Sequence, residues 1–203
     1  TLAESSTPEQ RVSGMVGLIH RILLDMVQSQ AGADAASDIR RMAKVEPQVE
    51  FRLDENYDDA EFLRLFVATC ERLGLTQDQA EQAFARAFYE DSVRRWPTWF
   101  QLSKNAREFL KRQPAIHNGF ATGVSDSSAR AGIRDKFRLE ERPDRIVVHY
   151  KSPNNLCGVY VALAHQILDH YRETARIEHP RCLRESDSAC EIHVIWPEGQ
   201  GNA

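Results

Sequence analysis

Residues 137–150 have the sequence FRLEERPDRIVVHY, which decides the fold class of the C-terminal half of the chain. Apolar Phe137 and Leu139 alternate with charged residues, a pattern typical of a strand with one buried face. The sequence RPDR at 142–145 favours a turn, and residues 146–150 form an apolar partner strand. This stretch therefore predicts an antiparallel hairpin.

A helix and a second hairpin are predicted to follow the first hairpin. Residues 156–171 carry apolar side chains at helical spacing. Two further strand-like segments, 176–182 and 190–196, flank a polar turn. The C-terminal half is therefore predicted to have the element order ββαββ, with four strands in an antiparallel sheet.

The N-terminal half shows helical patterns along most of its length. A capping-box sequence begins at Thr76, and Pro97 ends the helix that follows it. The two halves together predict an α+β fold, in which a helical N-terminal half is followed by the four-stranded sheet. The predicted helical segments are residues 15–28, 35–43, 59–73, 77–95 and 105–112.

The composition is that of an ordinary globular protein and excludes several classes. The chain has 203 residues, 42% of them hydrophobic, and a formal net charge of −4. An acidic balance argues against a nucleic-acid partner. No apolar run approaches the ~20 residues of a membrane span. The polar segment 1–11 carries no signal-peptide pattern, so we expect a cytoplasmic protein without a membrane partner.

Three of the four cysteines lie in the last quarter of the chain, near a histidine. His179 and Cys182 lie close together, and Cys190 follows a polar turn, so a hairpin can bring the three together. Cys157 can complete the set, and thiolates with imidazole are the donors that Zn²⁺ prefers. The pattern predicts a zinc site without an open coordination position, structural or redox-sensitive. The alternative is that the cysteines are small apolar core residues.

Five short segments in this order resemble the H-NOX domain, the heme–nitric oxide/oxygen-binding family related to the sensor of soluble guanylate cyclase. The resemblance covers nearly the whole chain. The three clustered cysteines and His179 also match a zinc-ligand set of bacterial members. The segments are GMVG (14–17), YDDAEF (57–62), RWPTWF (95–100), LKRQPAIH (110–117) and YKSPN (150–154).

The resemblance also implies a domain organisation. It places one H-NOX-like sensor domain over residues 14–197. A helical subdomain at 14–120 and a sheet subdomain at 134–197 would enclose a heme-type cleft between them. Residues 1–13 would form a flexible N-terminal segment, and residues 198–203 a tail.

The resemblance implies a heme b whose iron is bound by His117. A neutral imidazole on an apolar helix is a good iron ligand. Tyr150 and Ser152 would hydrogen-bond the heme propionates. Asn154 stands where the family's Tyr-x-Ser-x-Arg motif has arginine, so the propionates lose their main cation. The alternative for His117 is a partly exposed surface histidine.

The opposite face of the heme decides which gas is bound. The family's oxygen binders have a distal tyrosine where this chain has Val159, with Tyr160 one residue later. Without that hydroxyl, bound O₂ lacks its stabilising donor, and the resemblance implies a sensor of NO or CO. His20 on the first helix either faces the iron or lies on the outer side of the helix.

Two functions are weighed against each other. The first is a heme-based gas sensor that signals by conformational change to a partner, such as a histidine kinase or a cyclic-nucleotide enzyme. The second is a heme-free module, similar to vinyl-reductase-type domains, that binds a small molecule or senses redox state through zinc thiolates; Asn154 favours it. Enzymatic activity is not expected, because the sequence shows no nucleophile–base pair or phosphate loop.

Overall fold

The computed structural model describes residues 14–53, 55–120, 130 and 136–197. The expected flexible segment 1–13 and the tail 198–203 lie outside the described residues. Within those residues, no helix is both long enough and apolar enough to cross a membrane.

The helical half begins with one long, kinked helix. Helix α1 spans Gly17–Met42, and Gly32 interrupts it with a φ of 87°. Two separate helices were predicted here, with Gly32 as the terminator between them. Gly32 itself is non-helical, with φ 87° and ψ 171°, so the predicted break at Gly32 is confirmed and the two helical arms follow each other without a loop.

Capping residues determine where the next two helices begin. Helix α2, Asp59–Leu73, begins where the Asp58 carboxylate accepts a hydrogen bond from the Ala60 amide. Helix α3, Gln77–Arg95, begins with the reciprocal capping box of Thr76 and Gln79. A short helix α4, Pro97–Gln101, follows directly.

Helix α5, Ala106–Phe120, is longer than predicted. The sequence predicted its end at Arg112, two residues before Pro114, but the helix continues through that proline. Proline lacks the backbone N–H that would bond to residue 110, so the helix loses one hydrogen bond there. The extension carries His117 on the same helix as the apolar residues before it.

The four-stranded antiparallel sheet is confirmed. Its elements are β3 Phe137–Glu141, β4 Arg145–Tyr150, α6 Cys157–Tyr171, β5 Arg176–Arg181 and β6 Cys190–Ile195. The strand order is β3-β4-β6-β5, and the central strands pair antiparallel from Arg145↔Ile195 to Tyr150↔Cys190. Helix α6 connects the two hairpins and packs against α3 and α5.

A small second sheet joins the start of the helical half to its middle. Strand β1, Gly14–Val16, pairs antiparallel with strand β2, Asn56–Asp58. A helix was predicted to begin at Met15, where the structure has β1. The pairing with β2, 40 residues away, is a long-range interaction that helical periodicity does not reveal.

The two larger apolar cores among the described residues lie on either side of one space. One lies among α1, α2 and α3. The other lies between the sheet, α5 and α6. Helix α6 serves both, because Val159 packs against the first core and Tyr160 belongs to the second. The space between the cores is where the site lies.

Candidate functional site

An apolar cavity of about 210 Å³ lies between the helical half and the sheet half. Its walls are mostly aliphatic and aromatic side chains from α1, α3, α5 and α6. Apolar pockets with a few polar groups are typical of cofactor and small-ligand sites. The polar residues that line this cavity include His117, Lys136, Tyr150 and Asn154.

Helix α5 supplies one wall of this cavity. Its cavity-lining residues recur at helical spacing, and His117 is among them. The sequence therefore places the imidazole on an apolar helix face one turn after Gln113, which also lines the cavity. The lining residues of α5 are Phe109, Leu110, Gln113, Ile116, His117 and Phe120.

The His117 imidazole has the properties of a metal ligand. Its Nδ1 atom is buried and has no hydrogen-bond partner in the part of the chain that the structure describes. The ring lies edge-on to Phe137, with 4.9 Å between ring centroids. Burial lowers the pKa of His117 to about 4, and the positive charge of Lys136 acts in the same direction. The imidazole is therefore neutral at pH 7, the form that binds iron.

The YKSPN segment lies at the end of β4, against the cavity. Tyr150 and Asn154 are buried and line it, whereas Ser152 is buried but is not a lining residue. Burial raises the pKa of Tyr150 to about 12, so its hydroxyl remains a donor. The Ser152 hydroxyl accepts a hydrogen bond from the Asn154 amide at 3.3 Å. The Asn154 side-chain amide donates to the Asp59 carboxylate at 2.8 Å.

Lys136 is a cavity residue that the sequence analysis did not identify. It is buried, and its Nζ atom lies 3.6 Å from Asp59 Oδ2. Its carbonyl accepts a hydrogen bond from the Lys151 amide, which extends the β3–β4 pairing by one residue. The strand register of the predicted hairpin could have revealed Lys136, because it pairs residue 136 with residue 151 and so places Lys136 beside the YKSPN segment.

The two neighbouring residues at the start of α6 face different cores. Val159 lines the cavity and packs against the helical core. Tyr160 also lines it but lies in the sheet-side core, where its ring is 5.7 Å from Phe137. Since Phe137 also contacts His117, Tyr160 lies on the same side of the cavity as His117. Its buried hydroxyl has no hydrogen-bond partner among the described residues.

His20 does not line the cavity. It is fully buried in an aromatic cluster, stacked on Phe51 at 4.5 Å between centroids and packed against Tyr57 and Phe62. Burial lowers its pKa to about 4, although the charge of Asp59 raises it. Full burial excludes the outer side of the helix, and His20 is not among the residues that line the cavity.

Replacing His20 with phenylalanine is expected to reduce the loss in free energy of unfolding that occurs between neutral and acidic pH. The wild-type imidazole is neutral in both states above pH 6.5. As the pH falls from 6.5 to about 4, only the unfolded state binds a proton, so folding loses about 2–3 kcal/mol at this residue. Urea unfolding of the ligand-free protein at pH 7.5 and pH 4.5 should therefore show a smaller loss in the variant.

The matched control for His20 is the exposed His165, changed to phenylalanine. This variant is expected to lose as much stability on acidification as the wild type. An equal loss in the His20 variant and the wild type would contradict the assignment of a depressed pKa to His20.

The three cysteines and His179 do come together. Their four ligand atoms all lie within 4.8 Å of one another. The sulfur atoms of Cys157 and Cys182 are 3.7 Å apart, close to the ~3.8 Å that two thiolates at ~2.3 Å span around a tetrahedral zinc. The Nε2 atom of His179 is buried without a hydrogen-bond partner in the described part of the chain. The donor set and its spacing fit Zn²⁺.

A register shift and two backbone hydrogen bonds position these ligands. The register between β5 and β6 shifts between Glu178 and Arg181, so His179 lies in a bulge. The Leu183 amide donates to Cys190 Sγ at 3.2 Å, and the Cys182 amide donates to Asp187. Burial raises the pKa of the Cys190 thiol, so a nearby cation is needed to hold it as thiolate.

An ion pair links this cluster to α3. Arg184, in the turn between Cys182 and Cys190, binds the fully buried Glu81 carboxylate and also Asp78 at 3.1 Å. A Cβ atom on Gly158 would collide with the Glu81 carboxylate, so glycine allows α6 to approach α3 here. The cysteine cluster is therefore joined to the helical half as well as to the sheet.

An apolar cavity with a neutral histidine on its wall thus lies between a helical half and an antiparallel sheet. The Haem-NO-binding family model matches residues 16–179. The chain therefore belongs to the H-NOX family, whose members are heme-binding gas-sensor domains that bind diatomic gases and signal to partners.

Solved structures show the same fold. An H-NOX protein from S. oneidensis in the Fe(II)NO state is 16% identical, with a TM-score of 0.76, covering 91% of this chain and all of that one. The Fe(II) unliganded H-NOX protein from K. algicida is 19% identical, with a TM-score of 0.72, covering 92% and 98%. An oxygen-binding H-NOX domain in its oxygen complex is 16% identical, with a TM-score of 0.72, covering 91% and 96%.

Proposed function

We propose that this protein is a heme-based sensor of NO or CO, with His117 as the iron ligand. The observation that supports it is the neutral His117 imidazole on the wall of an apolar cavity, in a chain of the H-NOX family. When bound, heme supplies an iron with a position free for a diatomic gas. No catalytic step is part of this proposal.

Different residues of this chain would hold the iron, the ring and the propionates of the heme. His117 binds and orients the iron, and the apolar walls exclude water. The Tyr150 hydroxyl and the Asn154 amide offer hydrogen bonds to the propionates. Ser152, whose hydroxyl bonds the Asn154 backbone, holds the segment in shape and is proposed as a propionate contact of secondary importance.

The preference for NO over O₂ follows from the side chain opposite His117. Val159 faces that side of the cavity from the helical core and donates no hydrogen bond. Tyr160, the hydroxyl residue next to Val159 on α6, packs with Phe137 on the His117 side. Bound O₂ develops negative charge and needs a donor, whereas NO and CO do not.

The gas preference is tested by absorption spectra of the reduced, heme-loaded protein. NO and CO are expected to shift the Soret band, and air is expected to leave it at its anaerobic position until the iron oxidises. Changing Val159 to tyrosine should give a reversible O₂ spectrum, and the control Val159→Phe should not. A reversible O₂ complex of the wild-type protein would contradict the proposed selectivity.

A displacement of His117 would move helix α5, which packs against the sheet-side core. Helix α5 carries His117, and its Phe109 and Leu110 are buried in the core beneath the sheet. A small displacement of this helix therefore repacks the sheet-side core. We propose that a signalling partner, a histidine kinase or a cyclic-nucleotide enzyme, detects this displacement in the cytoplasm.

We also propose that Cys157, His179, Cys182 and Cys190 bind one structural Zn²⁺. Four protein donors leave no position for substrate, so this centre stabilises the hairpin and is not catalytic. The support is the 3.7 Å spacing of two sulfurs and the unpartnered nitrogen of His179.

The second candidate function is a heme-free module that binds another small molecule, or that senses redox state through the zinc thiolates. Asn154 favours it, because this residue supplies no charge for the propionates. The same apolar cavity would then serve a different ligand. Reconstitution with hemin separates the two candidates, since only the first predicts an axial His117 signal.

A further inference from the structure

We propose that Lys136 is the cation that binds the heme propionate in this protein, replacing the arginine that Asn154 does not supply. This inference rests on the proposed function, since it assigns the residue that recognises the acidic groups of the same ligand.

The position of Lys136 supports this role. Only 7% of the residue is exposed, and it lines the cavity together with Tyr150 and Asn154. Among the described residues it is the only lysine or arginine that lines the cavity. An unpaired buried ammonium is strongly destabilising because it loses its hydration, so its location in a mainly apolar wall needs an anionic partner.

Asp59 is the anion closest to Lys136, but it holds the lysine loosely. The Nζ–Oδ2 distance is 3.6 Å, longer than the 2.7–3.2 Å of an N–H···O hydrogen bond. The same Oδ2 atom already accepts the Asn154 amide at 2.8 Å. Burial lowers the pKa of Lys136, and the charge of Asp59 opposes this shift. The ammonium has three N–H donors, so it can bind a ligand carboxylate while it stays beside Asp59.

The remaining wall fits a ligand that is apolar with an acidic end. The Asn154 side-chain amide and the Lys136 ammonium both face Asp59 Oδ2, Tyr150 lines the same cavity, and the other groups that surround it are mainly apolar. Carboxylates prefer such a set of one cation and several donors. Heme has this character, with an apolar ring and two propionates along one edge.

A purely structural role for Lys136 is the competing explanation. In that case the ion pair with Asp59 joins the start of β3 to the start of α2, and the ligand's acidic groups are irrelevant to it. The two explanations differ in one respect: only a propionate contact distinguishes an acidic porphyrin from its neutral ester.

The test measures the affinities for hemin and for hemin dimethyl ester by absorption titration. The wild-type protein is expected to bind the diacid about 10- to 100-fold more tightly than the ester. Lys136→Met should lose most of this preference by weakening diacid binding alone, and Lys136→Arg should keep it. The control Lys151→Met, at the exposed neighbouring lysine, should behave like the wild type.

Each result decides between the possibilities. Equal affinities for diacid and ester in the wild type, or an unchanged ratio in Lys136→Met, would overturn the role of Lys136 while leaving heme binding intact. If Lys136→Met is unstable, the ratio in the wild type and in Lys136→Arg still decides. Absence of any hemin binding to the wild type would instead contradict the proposed function itself.

Discussion

Changing Cys190 to serine is expected to remove the bound zinc and to lower the melting temperature by about 6–12 °C. Cys190 is fully buried among the other ligands, and its sulfur accepts the Leu183 amide. A metal present at about 100 times its Kd stabilises the folded state by about 3 kcal/mol. For a domain of this size each kcal/mol shifts the melting temperature by about 2–4 °C.

The loss should extend beyond the cysteine cluster. The turn between Cys182 and Cys190 carries Arg184, which binds Glu81 on α3. Without metal this turn loses its anchor, and a buried carboxylate without its partner is costly. Amide hydrogen exchange in the variant should therefore increase in the turn and in the first turns of α3.

Metal analysis with Cys70→Ser as the matched control checks this prediction. Cys70 lies on α2, away from the cluster, and is half-buried. Its serine variant is expected to keep one equivalent of zinc. Retention of a full equivalent by Cys190→Ser would contradict the assignment of the zinc ligands.

The elements that sequence reasoning predicted well are those specified by local signals. Thr76 with Gln79 begins α3 because capping involves residues only three positions apart. The alternation in residues 137–150 gave the β3–β4 hairpin for the same reason. The clustering of the cysteines with His179 was also predictable, because a hairpin forces His179, Cys182 and Cys190 towards one another.

The features that it missed depend on long-range packing. The pairing of β1 with β2 and the continuation of α5 through Pro114 are decided by tertiary contacts that outweigh local preference. The position of His20 followed the same rule, since its aromatic neighbour Phe51 is 31 residues away. Lys136 was missed because its closeness to Asp59, which lies 77 residues earlier in the chain, exists only in the folded protein.

The central claim is that His117 binds the heme iron. Changing His117 to alanine removes the only histidine among the cavity-lining residues that the structure describes. We expect hemin affinity to fall at least about 100-fold, since a metal–ligand bond contributes more than an ordinary charged hydrogen bond of ~1.5–3 kcal/mol. The exposed His165→Ala is the matched control and should bind hemin like the wild type.

Absorption spectra of the reduced protein, titrated with hemin, test this claim most directly. We expect the Soret band of a histidine-ligated heme in the wild type and in His165→Ala. This band should be lost in His117→Ala. It should return when imidazole is added to His117→Gly. A wild-type protein that stays colourless after reconstitution, or a His117→Ala variant with the wild-type spectrum and affinity, would contradict it.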